Sequence, residues 1–399
     1  ERTGTTVMKI LVSNIGSTSF KFRLFELGDD ERELARGGAD RIGAEGGEFE
    51  LAVVGECQSQ PAGFADHGEA IVFALDALTE AGVLADRDEL DAVAFKTVMG
   101  GDCDPVCLVT DEVLERMEYF VPVAPAHNPP YIEAMRMFRD VLGETPLVAA
   151  FEPGFHRTNP PRRRYYAVPL EWAEKFGIKR YGFHGASHRY IATRSAELMP
   201  SARRVISCHL GGSSSICAIR NGQSVATSMG LSPQSGLPQG SRVGELDPYA
   251  IAMLQDQAEM GLREALAVLG SKAGLAGISG VGGDWRDISS AADGGDDRAQ
   301  LAVDMFVTAI RDYLGSYLME LGGADAVVFT GGIGEHNPPV RSAVLAEAEF
   351  AGIRLDEDKN ASADGESRID ADGSAVAVWV IPTNEELVVA RQARELLEK

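Results

Sequence analysis

The sequence predicts an α/β fold built from two related halves, and three observations support this prediction. Short apolar strands alternate along the chain with segments whose apolar residues have helical spacing. A buried strand followed by a turn rich in glycine and hydroxyl groups occurs in each half of the chain. The length of 399 residues suits two domains, at roughly 100–200 residues per domain.

The composition is that of an acidic globular protein. There are 37 basic and 60 acidic side chains, giving a net charge of −23, and 45% of the residues are hydrophobic. Such a surface repels nucleic-acid backbones and anionic membranes, so neither is expected as a partner. The five cysteines contain no CxxC pair and predict free thiols. We expect residues 1–7 to be vector-derived and Met8 to be the natural start; no signal-peptide pattern follows it, which predicts a cytoplasmic protein.

The first half is predicted to begin with a strand, a turn and a second strand, at residues 9–14, 16–19 and 20–25. Helices are predicted at 66–82 and 129–142, and short strands at 91–97 and 147–151. Proline and glycine cluster at 153–161 and indicate a domain boundary.

The second half repeats this opening. A strand at 204–208 leads through the turn 209–215 to a strand at 216–220, and Asn221-Gly222 predicts a type I′ turn before a return strand at 224–227. Aligning Gly16 with Gly212 places residues 17–19 in register with 213–215, although two unrelated hairpins would look similar. The remaining predictions are helices at 248–268, 297–321, 338–350 and from 384, strands at 326–330 and 375–382, and an exposed connection at 354–374.

Glycine-rich turns are the first candidates for chemistry. The turns after the two buried strands suit a phosphate group, because glycine lets the backbone approach and turn amides bind anions. Lys21 adds a positive charge beside the first turn. Taken alone, each turn is more typical of a plain hairpin, and no Walker A pattern is present. The turn at 331–335 follows a predicted strand and opens a helix, which would admit a nucleotide, but it lacks GxGxxG spacing.

Cationic side chains near such turns are the second group of candidates. His184 and His188 are four residues apart at the start of a predicted helix, a spacing that suits either zinc or an anion at the helix N-terminus. The absence of a HExxH glutamate and of a nearby third ligand favours the anion. Arg242 lies in a loop rich in Pro, Gly and Ser. This position suits either a clamp on a phosphate or carboxylate or an ordinary surface arginine. The Asp284-Trp285-Arg286 segment suits either a purine site or simple loop packing.

Taken together, the motifs resemble the acetate kinase family, with its acetate, propionate and butyrate kinases, within the acetate/sugar kinase, chaperone ATPase and actin superfamily. The resemblance runs from Met8 almost to Lys399 and keeps the order of the motifs. They are NIGSTSFK (14–21), APAHNP (124–129), FHGASHRY (183–190), HLGGSSS (209–215), SMGLSPQSGLPQGSRVGELDP (228–248), GISGVGGDWRD (277–287), FTGGIGE (329–335) and PTNEELVVAR (382–391).

This resemblance implies a duplicated two-domain actin-like fold with an interdomain nucleotide cleft. The implied N-terminal domain comprises residues 8–155 plus 385–399, and the implied nucleotide-binding domain comprises 156–384. The implied activity is reversible transfer of the ATP γ-phosphoryl group to a short-chain carboxylate, with ATP/ADP as co-substrate, Mg²⁺ (or Mn²⁺) as the metal and a homodimer as the assembly. A catalytically weak nucleotide-binding sensor or partner protein of the same fold is the alternative.

The resemblance also implies roles for individual residues. Catalytic roles fall to His184, Arg242, Glu152 and Lys96. Phosphate contacts fall to Ser17, Ser19, Lys21, His209, Gly211, Gly212 and Ser213. Nucleoside contacts fall to Asp284, Trp285, Arg286, Gly331, Gly332 and Ile333. The implied acyl pocket is lined by Lys96, Val98, Ala126, Phe183 and Pro233, and the metal ligands are Asn14 and Glu385.

Several of these positions depart from the family pattern. Lys96 stands where the family has arginine, and a lysine lacks the bidentate fork that grips a carboxylate. The other replacements are Met99 for a histidine, Glu152 for an aspartate, Gly212 for an asparagine and Ala126 for a leucine. Because the changes concentrate in the implied site, they predict an altered substrate or lost activity.

Overall fold

The structure is a computed structural model that describes residues 7–399. The expectation that residues 1–7 are vector-derived therefore falls, apart from Val7, outside the described residues. The chain divides into two compact units. Unit 1 comprises the residues up to Gly154 together with Asn384–Lys399, and unit 2 comprises Phe155–Thr383.

The strands are β1 (Met8–Ile15), β2 (Ser19–Leu27), β3 (Glu31–Asp40), β4 (Glu48–Val53), β5 (Glu56–Pro61), β6 (Ala92–Thr97), β7 (Val106–Leu108), β8 (Leu147–Phe151), β9 (Arg204–His209), β10 (Ser215–Arg220), β11 (Gln223–Thr227), β12 (Ala326–Thr330), β13 (Ser367–Arg368) and β14 (Ala377–Val380). The helices are α1 (His67–Glu80), α2 (Asp111–Tyr119), α3 (Asn128–Leu142), α4 (Pro161–Arg164), α5 (Leu170–Phe176), α6 (Gly185–Leu198), α7 (Tyr249–Ala258), α8 (Leu262–Ser271), α9 (Gly274–Ser279), α10 (Trp285–Asp293), α11 (Asp297–Leu321), α12 (Gly331–His336), α13 (Pro338–Leu345), α14 (Glu357–Ala361) and α15 (Glu385–Leu397). Short 3-10 helices lie at Arg87–Glu89, Glu152–Thr158 and Glu349–Ala351.

Unit 1 is built on a mixed sheet with the strand order β5-β4-β3-β2-β1-β6-β8-β7. Strands β1, β6 and β8 are parallel, whereas the strands on the β2 side form an antiparallel meander. Three successive residues of β1, Ile10, Leu11 and Val12, are at most 1% exposed. Because successive side chains point to opposite faces, both faces of this strand are covered. The helices α1, α3 and α15 pack on the sheet.

Unit 2 is built on a second mixed sheet with the order β11-β10-β9-β12-β14-β13. Strands β9, β12 and β14 are parallel and the others antiparallel. The long helix α11 buries a stripe formed by Phe306, Ile310 and Leu314 in the core of this unit. Asp296 caps its N-terminus and the left-handed Gly322 ends it, which explains why the predicted bounds 297–321 are the observed ones.

The two sheets share one strand order. In unit 1 the order β3-β2-β1-β6-β8 runs from an antiparallel meander into two parallel strands, and β11-β10-β9-β12-β14 does the same in unit 2. The turn after β1 and the turn after β9 occupy equivalent positions in this order. The predicted duplication of an α/β unit is therefore confirmed.

Other local predictions are also confirmed. The strands at 9–14, 147–151, 204–208 and 326–330 are all present. At the β10–β11 hairpin, Asn221 and Gly222 have φ of 52° and 77°, as a type I′ turn requires.

Three predicted elements are corrected by the structure. The helix expected at 248–268 is two helices, α7 and α8, because Glu259 adopts a left-handed conformation (φ 53°) and Gly261 follows before α8 begins. The helix expected at 338–350 ends at Leu345, since Glu347 is left-handed (φ 59°), and a 3-10 turn follows. The segment 354–374 is not a wholly exposed connection: it contains α14 and β13.

None of the described helices combines the length and the apolar character that a membrane span requires.

Candidate functional site

A lysine with two carboxylates lies at the carboxyl ends of the parallel strands of unit 1. Lys96, near the end of β6, forms an ion pair with Glu385, the first residue of α15. The two side chains are 20% and 13% exposed. Glu152 follows β8 and is 7% exposed. Burial alone would lower the pKa of Lys96, but attraction to Glu385 and then to Glu152 outweighs burial, so the pKa is raised and Lys96 stays protonated.

Asn14 is tied to the same part of unit 1 by Tyr131. The Tyr131 hydroxyl donates a hydrogen bond of 3.0 Å to Asn14 Oδ1. Tyr131 is 2% exposed, and burial raises the pKa of its phenol to about 12. The phenol therefore remains a hydrogen-bond donor, which fixes which edge of the Asn14 amide carries the oxygen.

The first predicted phosphate turn joins β1 to β2. Its backbone closes through a 2.8 Å hydrogen bond from Gly16 N to Ser19 O. Ser17 is exposed and Ser19 half-buried. Lys21, also exposed, pairs across the strands with Asn14. Lys21 and Asn14 line one cavity of about 320 Å³, so the structure brings these two predicted residues together.

In unit 2 the imidazole rings of His184 and His209 meet at the start of α6. His184 immediately precedes the helix in a left-handed conformation (φ 56°) and stacks on His209, with 4.2 Å between ring centroids. His184 Nδ1 lies 2.8 Å from Ser215 Oγ, and His209 Nδ1 lies 2.8 Å from Ser187 Oγ. A left-handed non-glycine residue costs about 1–3 kcal/mol, and these contacts of the ring hold it in place.

Arg242 lies in a second polar group of unit 2. Its Nη1 donates to Ser213 Oγ at 3.1 Å and to Gln239 Oε1 at 3.4 Å, and Ser213 itself donates to Gln239 Oε1 at 2.7 Å. Gln239 is 0% exposed and is held by a bond from Nε2 to the Pro233 carbonyl. Burial lowers the pKa of the Arg242 guanidinium, which nevertheless remains charged at neutral pH. The guanidinium is thus placed against the turn that follows β9.

The two glycine turns of unit 2 are locked together by backbone hydrogen bonds. Strands β9 and β12 pair in parallel with Thr330 beside His209, so the segments that follow them are neighbours. The Leu210 carbonyl accepts bonds from Ile333 N (2.8 Å) and Gly334 N (3.1 Å). Gly331 has φ of 77°, and a Cβ there would lie 2.7 Å from Leu210 O, so only glycine fits.

A third loop joins these turns through glycine contacts. Gly240 N donates to Gly212 O at 3.0 Å, and a Cβ on Gly240 would lie 2.7 Å from Gly283 O. The predicted phosphate residues Gly211 and Gly212 therefore neighbour the predicted nucleoside loop. Gly332 is exposed, whereas Ile333 is buried.

The three residues of the Asp284-Trp285-Arg286 segment are placed differently. Asp284 caps α10 and forms a 2.6 Å ion pair with Arg286, both at the surface. Trp285 is 8% exposed and packs against Phe306 in the core of unit 2. The predicted contact of Trp285 with a nucleoside stays a prediction, whereas the side chains of Asp284 and Arg286 are both open to solvent.

The residues of the predicted acyl pocket belong to both units. In unit 1, Val98 is half-buried just after β6 and Ala126 is exposed before α3. In unit 2, Phe183 is 3% exposed and Pro233 is also buried. Their grouping into one pocket stays a prediction.

Sequence reasoning missed several polar residues that hold these groups. Tyr131, Ser187, Gln239 and Ser215 were not assigned roles, and neither was Arg341. Arg341 is 0% exposed and donates to the carbonyls of Gly334 and Glu335 at 2.8 Å, so it holds the end of α12. Ser187, Gln239 and Ser215 lie inside quoted motifs, which was a signal, whereas Tyr131 and Arg341 lie outside all of them.

The sequence matches a known protein family over almost its whole length. The model of the acetokinase family matches residues 9–391. The chain belongs to this family. Among curated acetokinase relatives, the acetate kinase of Shouchella clausii is 40% identical over 392 residues, covering 97% of this chain and 99% of the relative. The acetate kinase of Clostridium botulinum (strain 657 / Type Ba4) is 41% identical over 398 residues, covering 98% and 100%.

Solved structures of acetate and propionate kinases are similar to this chain in fold. The acetate kinase of Porphyromonas gingivalis is 34% identical with a TM-score of 0.88, covering 98% of this chain and 100% of that one. A propionate kinase of Francisella tularensis is 32% identical with a TM-score of 0.89, covering 96% and 98%. The predicted two-domain acetate kinase fold is confirmed.

Proposed function

We propose that this acetokinase is an ATP-dependent carboxylate kinase, which transfers the γ-phosphoryl group to a short-chain carboxylate and also runs in reverse. The observation that carries the proposal is full-length similarity to acetate kinases combined with retention of His184 and Arg242 beside the glycine turns of unit 2. The alternative, a catalytically weak nucleotide-binding protein, is not favoured, because a protein that only binds nucleotide does not need these cations.

The reaction needs charge neutralisation rather than a base. The acid is already ionised at pH 7, so one carboxylate oxygen attacks the γ-phosphorus directly. The new bond is a carboxyl O–P bond, the bond broken joins the γ-phosphorus to the bridging oxygen, and ADP leaves with that electron pair. Two anions must approach each other in line, so catalysis consists mainly of positioning and electrostatic stabilisation.

The cations of unit 2 are suited to the transferring group. Arg242 is anchored by Ser213 and Gln239, so its guanidinium is pre-organised beside the turn of residues 209–215. We infer that Arg242 and His184 stabilise the phosphoryl group in flight, and that His209, Gly211, Gly212 and Ser213 contact the nucleotide phosphates. Gly331, Gly332 and Arg286 are the proposed nucleoside contacts.

Oxygen ligands of unit 1 suit magnesium. Mg²⁺ is usually bound through one or two protein oxygens together with substrate phosphates and water. Asn14 and Glu385 supply such oxygens, although Asn14 Oδ1 accepts a bond from Tyr131 and Glu385 pairs with Lys96. Within residues 7–399, no group of three or more His, Cys, Asp or Glu side chains is arranged to hold a metal on its own. The bound cation would neutralise phosphate charge, with Asn14 and Glu385 holding it.

Lys96 is the proposed cation for the acid substrate. A carboxylate kinase needs a positive charge near the acceptor carboxylate, and Lys96 stays protonated. Its present partners, Glu385 and Glu152, leave it as a point charge without the fork of an arginine. We therefore expect weaker orientation of the acid than an arginine would give.

The assembly and location implied by the resemblance are also proposals. Large apolar side chains are exposed on α7 and α8, among them Tyr249 (79%), Met253 (63%) and Leu266 (51%), which supports a homodimer. Light scattering would report about 85 kDa for a dimer, twice the chain mass of 42.6 kDa. A cytoplasmic location is the expectation for this enzyme.

Trapping with hydroxylamine tests the activity directly. Purified protein with ATP and Mg²⁺ is offered acetate, propionate, butyrate and valerate, and any acyl phosphate is converted to a hydroxamate. We expect product with at least one acid, and about 10³-fold less turnover after Arg242→Ala, because a clamp on the transferring group is lost. Absence of product with every acid would refute the proposed function. Near-normal turnover of folded Arg242→Ala would refute the role of Arg242 alone.

A further inference from the structure

A chain of hydrogen bonds joins His184 to the interior of unit 2. The Ser215 hydroxyl lies 2.8 Å from His184 Nδ1 and also 2.8 Å from His188 Nε2. On the far side of the ring, His188 Nδ1 lies 2.8 Å from Ser207 Oγ. Ser207, His188 and Ser215 are each 0% exposed. Buried polar groups need hydrogen-bond partners, so each member of this chain depends on its neighbours.

The direction of the chain is constrained by the number of protons. A serine hydroxyl carries one hydrogen, so Ser215 donates to at most one of the two histidines and accepts from the other or from both. Burial, followed by the neighbouring His156 and His209, holds the pKa of His188 well below its usual range. His188 is therefore neutral, with one donating and one accepting nitrogen. Two cases remain for the bond between Ser215 and His184: Ser215 donates to His184 Nδ1, or His184 Nδ1–H donates to Ser215.

Only one of these directions lets His184 become cationic without a rearrangement of the core. If Ser215 donates to His184 Nδ1, a proton can reach that nitrogen only after the buried Ser215 hydroxyl turns its hydrogen away. If His184 Nδ1–H donates to Ser215, the Ser215 hydrogen is available to His188 Nε2, and His188 Nδ1–H can then donate to Ser207. A further proton then binds at His184 Nε2 and leaves the buried groups unchanged.

The titratable groups around these hydrogen bonds do not compete with His184 for the proton. His209 stacks on His184 at 4.2 Å, and a second positive charge at this distance would be repelled by the first. His156 lies 5.8 Å from His188, between ring centroids, and burial lowers the pKa of His156 to about 4. Arg189, a charged neighbour of His156, also disfavours protonation there.

We propose that Ser215 and His188 are positioning residues for phosphoryl transfer: they fix the Nδ1–H of His184 towards Ser215 and so present Nε2 to the transferring group. The inference rests on the proposed function, since it assigns the orientation of a side chain that acts in that reaction. Ser215 and His188 do not themselves touch the substrate in this arrangement.

Ring nitrogen NMR tests the orientation without using activity. The protein has seven histidines, and the signals of His184 are assigned by their loss in His184→Gln. We expect a protonated Nδ1 in the parent protein and a mixture of tautomers in Ser215→Ala. The control is Ser195→Ala. Ser195 lies on α6 with His188, is 1% exposed and takes no part in these hydrogen bonds. The His184 signals of this variant should match those of the parent. An unprotonated Nδ1 in the parent would overturn the proposal.

Kinetics provide the second readout. We expect kcat of Ser215→Ala to fall at least about 10-fold, with KM for ATP and for the acid within about twofold, because orientation is lost and binding is not. Ser215→Thr, which keeps the hydroxyl, should recover most of the loss, and Ser207→Ala should show a smaller fall. The positioning role is wrong if Ser215→Ala has the same kcat as Ser195→Ala. It is also wrong if kcat falls and KM rises by the same factor. If the parent forms no acyl phosphate, the proposed function fails, while the NMR result still decides the orientation.

Discussion

Replacing Lys96 by methionine removes the positive charge of the lysine–carboxylate cluster of unit 1 and so tests its contribution to stability. The substitution keeps an unbranched side chain of similar length but leaves Glu385 and Glu152 without the ammonium. Breaking a fully buried ion pair typically costs about 3–5 kcal/mol. The Lys96 and Glu385 side chains are 20% and 13% exposed, so solvent relieves part of this cost, and we expect about 2–3 kcal/mol.

Thermal unfolding is the assay. At about 2–4 °C per kcal/mol for a unit of this size, the Tm of Lys96→Met should fall by about 5–10 °C. Lys175→Met is the matched control, because Lys175 is 67% exposed and its 3.8 Å pair with Glu171 is also exposed. Such a pair contributes at most about 1 kcal/mol, so the control should barely change. Lys96→Arg should retain most of the stability.

Magnesium gives this test a second arm. If Glu385 is a metal ligand, Mg²⁺ will replace the missing positive charge, and added Mg²⁺ will raise the Tm of Lys96→Met more than that of the parent. The double variant Lys96→Met/Glu385→Gln should lose this response. Equal Tm values for Lys96→Met and Lys175→Met would refute the assigned electrostatics of the cluster, and an equal Mg²⁺ response in all variants would remove Glu385 from the metal site.

Three other substitutions probe the acyl pocket, the buried histidines and the buried arginine. Ala126→Leu should reduce kcat/KM for butyrate relative to acetate by about 10-fold or more, if the missing leucine carbons leave room for a longer chain; an unchanged order of acids would contradict this. Because burial lowers the pKa of His156 to about 4, the unfolded chain binds more protons between about pH 4 and 6.5, so acidification from pH 7 to pH 5 should lower the free energy of unfolding by about 2 kcal/mol through this residue. Urea titrations should show a smaller pH dependence in His156→Gln, and an identical dependence would show that His156 is not responsible. Arg341→Met leaves the acceptors at Gly334, Glu335 and Asn360 unsatisfied, and we expect a loss of about 3 kcal/mol or more with a raised KM for nucleotide; an unchanged KM in the folded variant would separate Arg341 from the nucleotide turn.

Local signals explain which parts of the fold were predictable. Buried strands read as apolar runs, the Asn221-Gly222 turn follows from its two left-handed residues, and α11 follows from its caps. The edge strand β5 was missed because all of its residues are exposed and no apolar alternation marks it. The break between α7 and α8 was missed because Glu259 carries no sequence signal for a left-handed conformation.

Some features of the candidate site could likewise be predicted from local sequence, and others could not. The glycine turns were found because conformation and close backbone approach restrict the residue type, as at Gly331. The pair of Lys96 with Glu385 joins residues 289 positions apart, and the bond from Tyr131 to Asn14 spans 117 positions. Spacing along the chain contains no information about such pairs; they follow from the order of the strands.

The return of the chain to unit 1 has a consequence for synthesis in the cell. Residues up to Gly154 emerge from the ribosome first, but α15, which packs on β1, β2, β6 and β8, follows only after the whole of unit 2. The intervening Phe155–Thr383 segment takes roughly 10–45 s to translate at about 5–20 residues per second. During this interval one apolar surface of the nascent sheet lacks its helix, and Lys96 lacks Glu385. Unit 2 can therefore complete its fold before unit 1, and chaperone binding should concentrate on the uncovered sheet.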